Sequence, residues 1–182
     1  MPTARRPINL VPNPVVHVCA LAQVAETAER IGAGHLVTLI AEETRPATPQ
    51  GVPLNRHLRI AIDDITMARP GFTVPETHHV RGLIDFARAW DCRQPMLIHC
   101  HAGISRSTAT AFTVMCALHG EGSEEAIARA LRAAAPWAEP NARIVELADD
   151  LLTRNGAMAQ WRNGARDRGS WLRRHFRHAA AV

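Results

Sequence analysis

Lysine and tyrosine are absent from this chain of 182 residues, and aromatic residues make up only 4% of it. Every one of its 21 Lys-plus-Arg cations is therefore an arginine, a side chain that keeps its charge and meets oxyanions with a rigid fork. Cysteine is also sparse. Cys19, Cys92, Cys100 and Cys116 have neither the density of a disulfide scaffold nor any paired metal-ligand spacing, so reduced thiols are expected. No apolar run approaches the roughly 18 residues of a membrane span, which predicts no integral membrane segment. Residues 1–15 are broken by Pro2, Pro7, Pro12 and Pro14 and lack a secretory apolar core, so a cytoplasmic location is expected.

What is present is enough for one domain with a proper core. The apolar, β-branched run Val15 to Leu21 predicts a strand, and Ala22 to Ile31 a helix ended by Gly32 and Gly34. His35 to Ile40 and His57 to Ile62 predict two more strands, separated by a connection rich in proline. A helix is expected after Pro75 and Glu76, with Val80, Leu83, Ile84 and Ala87 on one face. Met96-Leu97-Ile98 then opens a core strand. Such alternation predicts an α/β fold, a mostly parallel central sheet with helices on both faces. Ligands of such sheets bind beyond the carboxyl ends of the strands.

That is where the run His99-Cys100-His101-Ala102-Gly103-Ile104-Ser105-Arg106-Ser107 falls, between the core strand and the helix-prone run Thr108 to Leu118. Unpaired loop amides and the positive end of the following helix make a receptor for an anion. Gly103 lets the backbone bend, and Arg106 supplies a fork for two oxygens. The same positive field favours the thiolate of Cys100, a nucleophile facing whatever the loop holds.

This Cys-five residues-Arg run, with His99, Gly103 and Ser107 in their places, resembles the signature loop of the cysteine-dependent protein tyrosine phosphatases. The Ala-Gly-Ile-Ser-Arg-Ser reading is most similar to the dual-specificity branch. The resemblance implies a phosphatase-like fold and a cysteinyl-phosphate intermediate, with neither metal nor other cofactor. It implies that Cys100 is the nucleophile, and that Arg106 and the backbone of His101, Ala102, Gly103, Ile104 and Ser105 bind phosphate. His99 would orient the loop, and Ser107 would stabilise the departing thiolate.

Such chemistry needs an acid to protonate the leaving oxygen. Asp64 at the end of an apolar strand resembles the branch's general acid, with Asp63 as the alternative. Asn141, in a Pro-Asn pair opening a helix over Ile144, Ala148, Leu151 and Leu152, is either an ordinary helix cap or the branch's asparagine near the catalytic loop. The phosphatase-like domain is expected over residues 1–156. Residues 157–182 form a basic tail bearing Trp161 and Trp171, whose six arginines and one aspartate leave residues 1–156 with a net charge of −1. An anionic surface or acidic partner would suit that tail, although packing of its tryptophans on the domain is the simpler expectation. A phosphorylated protein is the expected substrate, through phosphotyrosine and also phosphoserine or phosphothreonine. The alternatives are a catalytically weak phosphoprotein-binding module, a phosphatase of a small metabolite, or sulfur transfer at Cys100.

Overall fold

The computed structural model describes residues 13–162 and 176–178. Five strands, β1 (Val16–Ala20), β2 (His35–Leu39), β3 (His57–Ile60), β4 (Met96–Cys100) and β5 (Phe176–His178), form one sheet in the order β3-β2-β4-β1-β5. Every pairing is parallel, as the alternation of strands and helices requires. Helix α1 (Val24–Ile31) connects β1 to β2, and α2 (Thr77–Ala89) precedes β4. Helices α3 (Arg106–Leu118), α4 (Glu124–Ala134), α5 (Ala142–Leu151) and α6 (Ala157–Arg162) follow the central strand.

Strand periodicity divides the core in two. Val16 and Val18, Val37 and Leu39, and Met96, Ile98 and Cys100 pack with α2 to α6 in the larger cluster. Cys19, Leu36 and Leu97 pack with Val24 and Ala28 of α1 in the smaller one. Both faces of the sheet are thus covered, which is why β2 and β4 are buried along their whole length.

The strands are one or two residues shorter than their apolar runs, because Leu21 opens a short 3-10 turn over Leu21–Gln23 and Ile62 continues beyond the ladder while still buried. Gly32 ends α1 in the left-handed conformation at φ 61°, a position that suits glycine. At the other end of the chain, packing does not stop at residue 156. Met158 of α6 is fully buried, Trp161 lies against the large core, and β5 extends the sheet beside β1. Trp171, Arg166, Arg168, Arg173, Arg174 and the prolines before residue 13 lie outside the described residues. Among the described residues no helix is long and apolar enough to cross a membrane.

Candidate active site

Cys100 is the last residue of β4, and α3 begins six residues later at Arg106. The loop between them closes over the end of β1, where Leu21 N–H donates to the His101 carbonyl at 3.1 Å. Gly103 makes the turn at φ 74°. A Cβ there would stand 2.8 Å from the Cys19 carbonyl carbon and 2.9 Å from Ala20 N, so both the conformation and the close approach demand glycine.

The turn points Gly103 N–H at the Cys100 sulfur, 3.3 Å away, while Ser107 Oγ on the first turn of α3 lies 3.2 Å from it. Cys100 is 1% exposed at the foot of this loop. Arg106 is held across the site by a 2.7 Å bond from Nη1 to the carbonyl of Ile62, just past β3. Its buried Nε has no hydrogen-bond partner among the described residues. A buried guanidinium N–H with capacity left, beside a helix N-terminus, is an oxyanion-binding arrangement. His101 and Ala102 are exposed and Ile104 is half-buried; the Ile104 carbonyl is tied to Glu139 N–H at 3.1 Å.

The two aspartates after β3 part company. Asp63 turns into its own loop, where it takes Thr73 N–H on Oδ2 at 2.8 Å and donates its own N–H to the Thr73 carbonyl at 2.8 Å. Asp64 reaches the signature loop instead. Its Oδ1 accepts from Ser105 Oγ at 2.7 Å and from Asn141 Nδ2 at 2.8 Å, and its Oδ2 is 3.9 Å from Arg106 Nε. Asn141 does two jobs. While its amide nitrogen holds Asp64, its Oδ1 caps α5 by accepting Ile144 N–H at 3.2 Å.

His99 is fully buried beneath the loop, with Nδ1 3.4 Å from the Cys100 carbonyl and Nε2 2.7 Å from Thr38 Oγ1. Burial pushes the His99 imidazole down to about 4, so it is neutral near pH 7. All four cysteines are free thiols. Burial raises Cys19 to about 12, and it raises Cys92 and Cys116 as well.

No family model matches the sequence, and no curated protein matches it. Solved structures do. DUSP15 is similar at 21% identity over 81% of this chain and 90% of its own, with a TM-score of 0.57. PTPMT1 in complex with PI(5)P is similar at 20% identity over 80% of this chain and 94% of its own, with a TM-score of 0.57. Human tyrosine phosphatase-like serine/threonine/tyrosine-interacting protein is similar at 17% identity over 75% of this chain and 89% of its own, with a TM-score of 0.58. The chain has the dual-specificity phosphatase fold.

Within that fold, sequence reasoning overlooked three contacts. Ser105 is more than loop backbone, since its hydroxyl holds Asp64. The Ile62 carbonyl steadies Arg106, a main-chain role that leaves no trace in residue type. Thr38 carries the third. A hydroxyl inside the buried run His35–Leu39 needs a partner, and that polar position between Val37 and Leu39 was the available signal. Outside the signature loop, Asp64, Ile65, Met67, Arg69, Pro140 and Asn141 help line an open cleft beside the site. Met67 is 75% exposed at this cleft, and Phe72, 51% exposed, has the Arg69 guanidinium over its ring.

Proposed function

We propose that this protein is a phosphatase that hydrolyses phosphate monoesters through Cys100. The observation that carries the reading is the convergence of a nucleophilic sulfur, an arginine fork and a held carboxylate on one loop. In the first step Cys100 Sγ attacks phosphorus as the ester P–O bond breaks. Arg106 and the amides of His101 to Arg106 hold the non-bridging oxygens, and Asp64 gives its proton to the leaving oxygen. In the second step a water attacks the cysteinyl-phosphate, passing its proton to Asp64. The S–P bond breaks, phosphate leaves, and Ser107 Oγ hydrogen-bonds the returning thiolate.

Several features support Asp64 rather than Asp63 as the acid. Asp64 stands over the loop with two donors on one oxygen, whereas Asp63 is spent on closing residues 63–73. The docked position of Asp64 also favours turnover over a module that merely captures phosphoproteins. For substrate we infer a phosphorylated protein, phosphotyrosine first and phosphoserine or phosphothreonine besides, presented along the cleft that Met67 and Arg69 line.

The test is phosphate release from an aryl phosphate, a phosphotyrosyl peptide, a phosphoseryl peptide and a soluble phosphoinositide. Cys100→Ser should abolish turnover. Asp64→Asn should lower kcat by about 10²–10⁴-fold, the range of acid–base groups, and Asp63→Asn should leave kcat within a few-fold. Full activity of Cys100→Ser would end the thiolate reading, and a reversal of the two aspartate variants would reassign the acid. Turnover confined to the phosphoinositide would end the protein-phosphatase reading alone.

A further inference from the structure

The Thr38 hydroxyl lies between two imidazoles, 2.7 Å from His99 Nε2 and 2.8 Å from His57 Nε2. Outward, His57 Nδ1 is 2.8 Å from Thr48 Oγ1, which in turn takes an N–H from Arg59 Nη2 at 3.1 Å. Inward, the line ends at the Cys100 carbonyl, 3.4 Å from His99 Nδ1. Six groups from four segments of chain are therefore joined end to end, from half-exposed Thr48 and exposed Arg59 to the nucleophile itself.

The inner end fixes the direction, and the outer end is compatible with it. A guanidinium can only donate and a carbonyl can only accept. Burial pushes both imidazoles down to about 4, so at neutral pH each carries a single N–H. The Cys100 carbonyl takes the proton of His99 on Nδ1. His99 Nε2 is then a bare acceptor for the Thr38 hydroxyl, whose oxygen accepts from His57 Nε2. His57 Nδ1 in turn accepts from Thr48. The opposite polarity would set the lone pair of His99 Nδ1 against the lone pairs of the Cys100 carbonyl, at a residue with 0% exposure.

We propose that Thr38, His57, Thr48 and Arg59 are positioning residues that lock His99 in its Nδ1–H tautomer and thereby hold the Cys100 peptide, and with it the sulfur, in the attacking position. This inference rests on the phosphatase reading for its catalytic consequence, but not for the tautomers. Losing the Thr38 hydroxyl frees His99 to exchange tautomers, which loosens the Cys100 peptide without touching Arg106. The loss should therefore appear in kcat rather than in KM.

Long-range proton–nitrogen spectra of the full chain, labelled in histidine at pH 7 without substrate, test this directly. The His57 signals are identified by their loss in His57→Gln, and those of His99 by their response to Cys100→Ser. The expected pair is His99 protonated on Nδ1 and His57 on Nε2. The reverse pair, or a tautomer mixture at His99, overturns the proposal. Thr38→Val should convert His99 to a mixture and lower kcat on an aryl phosphate by roughly tenfold, about the worth of one buried hydrogen bond, with KM little changed. Thr38→Ser should restore both, and an unchanged tautomer and kcat in Thr38→Val overturns the proposal. If Thr38→Val does not fold, Thr48→Val decides, since it lies nearer the surface and should disturb the His57 tautomer; an undisturbed His57 overturns the chain. Tautomers as expected in a protein without turnover would fail the phosphatase reading alone, whereas wrong tautomers with intact turnover would fail the chain alone.

Discussion

Gly103 and Cys100 depend on each other. The left-handed φ of 74° at Gly103 aims its N–H at the Cys100 sulfur, and the missing side chain lets the loop lie on the backbone of Cys19 and Ala20. Gly103→Ala should cost roughly 1–3 kcal/mol in strain and displace that N–H, so phosphate release should fall further than stability does. A melting curve beside an aryl phosphate assay separates the two effects. The thiols differ as sharply. Burial holds Cys19 at about 12 and also raises Cys92 and Cys116, while Cys100 has the Gly103 amide and Ser107 hydroxyl at its sulfur. Limited iodoacetamide treatment at neutral pH should therefore modify Cys100 before the other three, as peptide mapping by mass spectrometry would show.

Among the elements, the start of α5 is tied most directly to the candidate site. Asn141 caps the helix with its carbonyl oxygen and holds Asp64 with its amide nitrogen, so fold and site share one side chain. Asn141→Ala should cost about 1 kcal/mol through the lost cap and also lower kcat. Asn141→Ser keeps a capping oxygen but is too short to reach Asp64. It should melt near the natural protein while kcat stays low, and recovery of both would show that the contact with Asp64 is idle. The end of α3 is fixed differently. Arg154 pairs with buried Glu124 at 2.7 Å and donates to the carbonyls of Cys116 and His119 at 2.7 and 2.8 Å, binding α3, α4 and the end of α5 together. Arg154→Ala would strand Glu124 as a buried charge, at an expected cost of about 3–5 kcal/mol in denaturant unfolding.

For the whole molecule, the buried histidines set an acid limit. His99 and His57 both lie near 4 in the folded chain against an ordinary 6.5, because burial disfavours the charged ring. Between those values the unfolded chain binds more protons than the folded one, so stability is complete above about 6.5 and declines as the pH falls toward about 4. Fully buried His99 alone accounts for roughly 3 kcal/mol of that decline, at about 1.4 kcal/mol per pH unit. Denaturant midpoints at pH 7 and pH 4.5 check it, and His57→Gln should flatten the difference. The end of the chain also belongs to the packed structure. Truncation after Gly156 removes fully buried Met158, Trp161 and the β5 partner of β1, so the shortened chain should melt well below the full one.

The sequence by itself determined the strand periodicity, the loop from Cys100 to Arg106 and the glycine at its turn, because each is written in neighbouring residues and short-range sterics. It also brought an acid to the strand end beside that loop. That Asp63 closes its own loop while Asp64 reaches the loop from Cys100 to Arg106 took the tertiary structure, since their partners Thr73, Ser105 and Asn141 lie 10, 41 and 77 residues away along the chain. The same is true of Thr38, which meets His99 only because β2 and β4 are neighbours in register. Met158 and β5 were hidden for a related reason. Packing of the tail's tryptophans was legible in its composition, but only the packed helices and the open edge of β1 decide that Met158 and β5 join them.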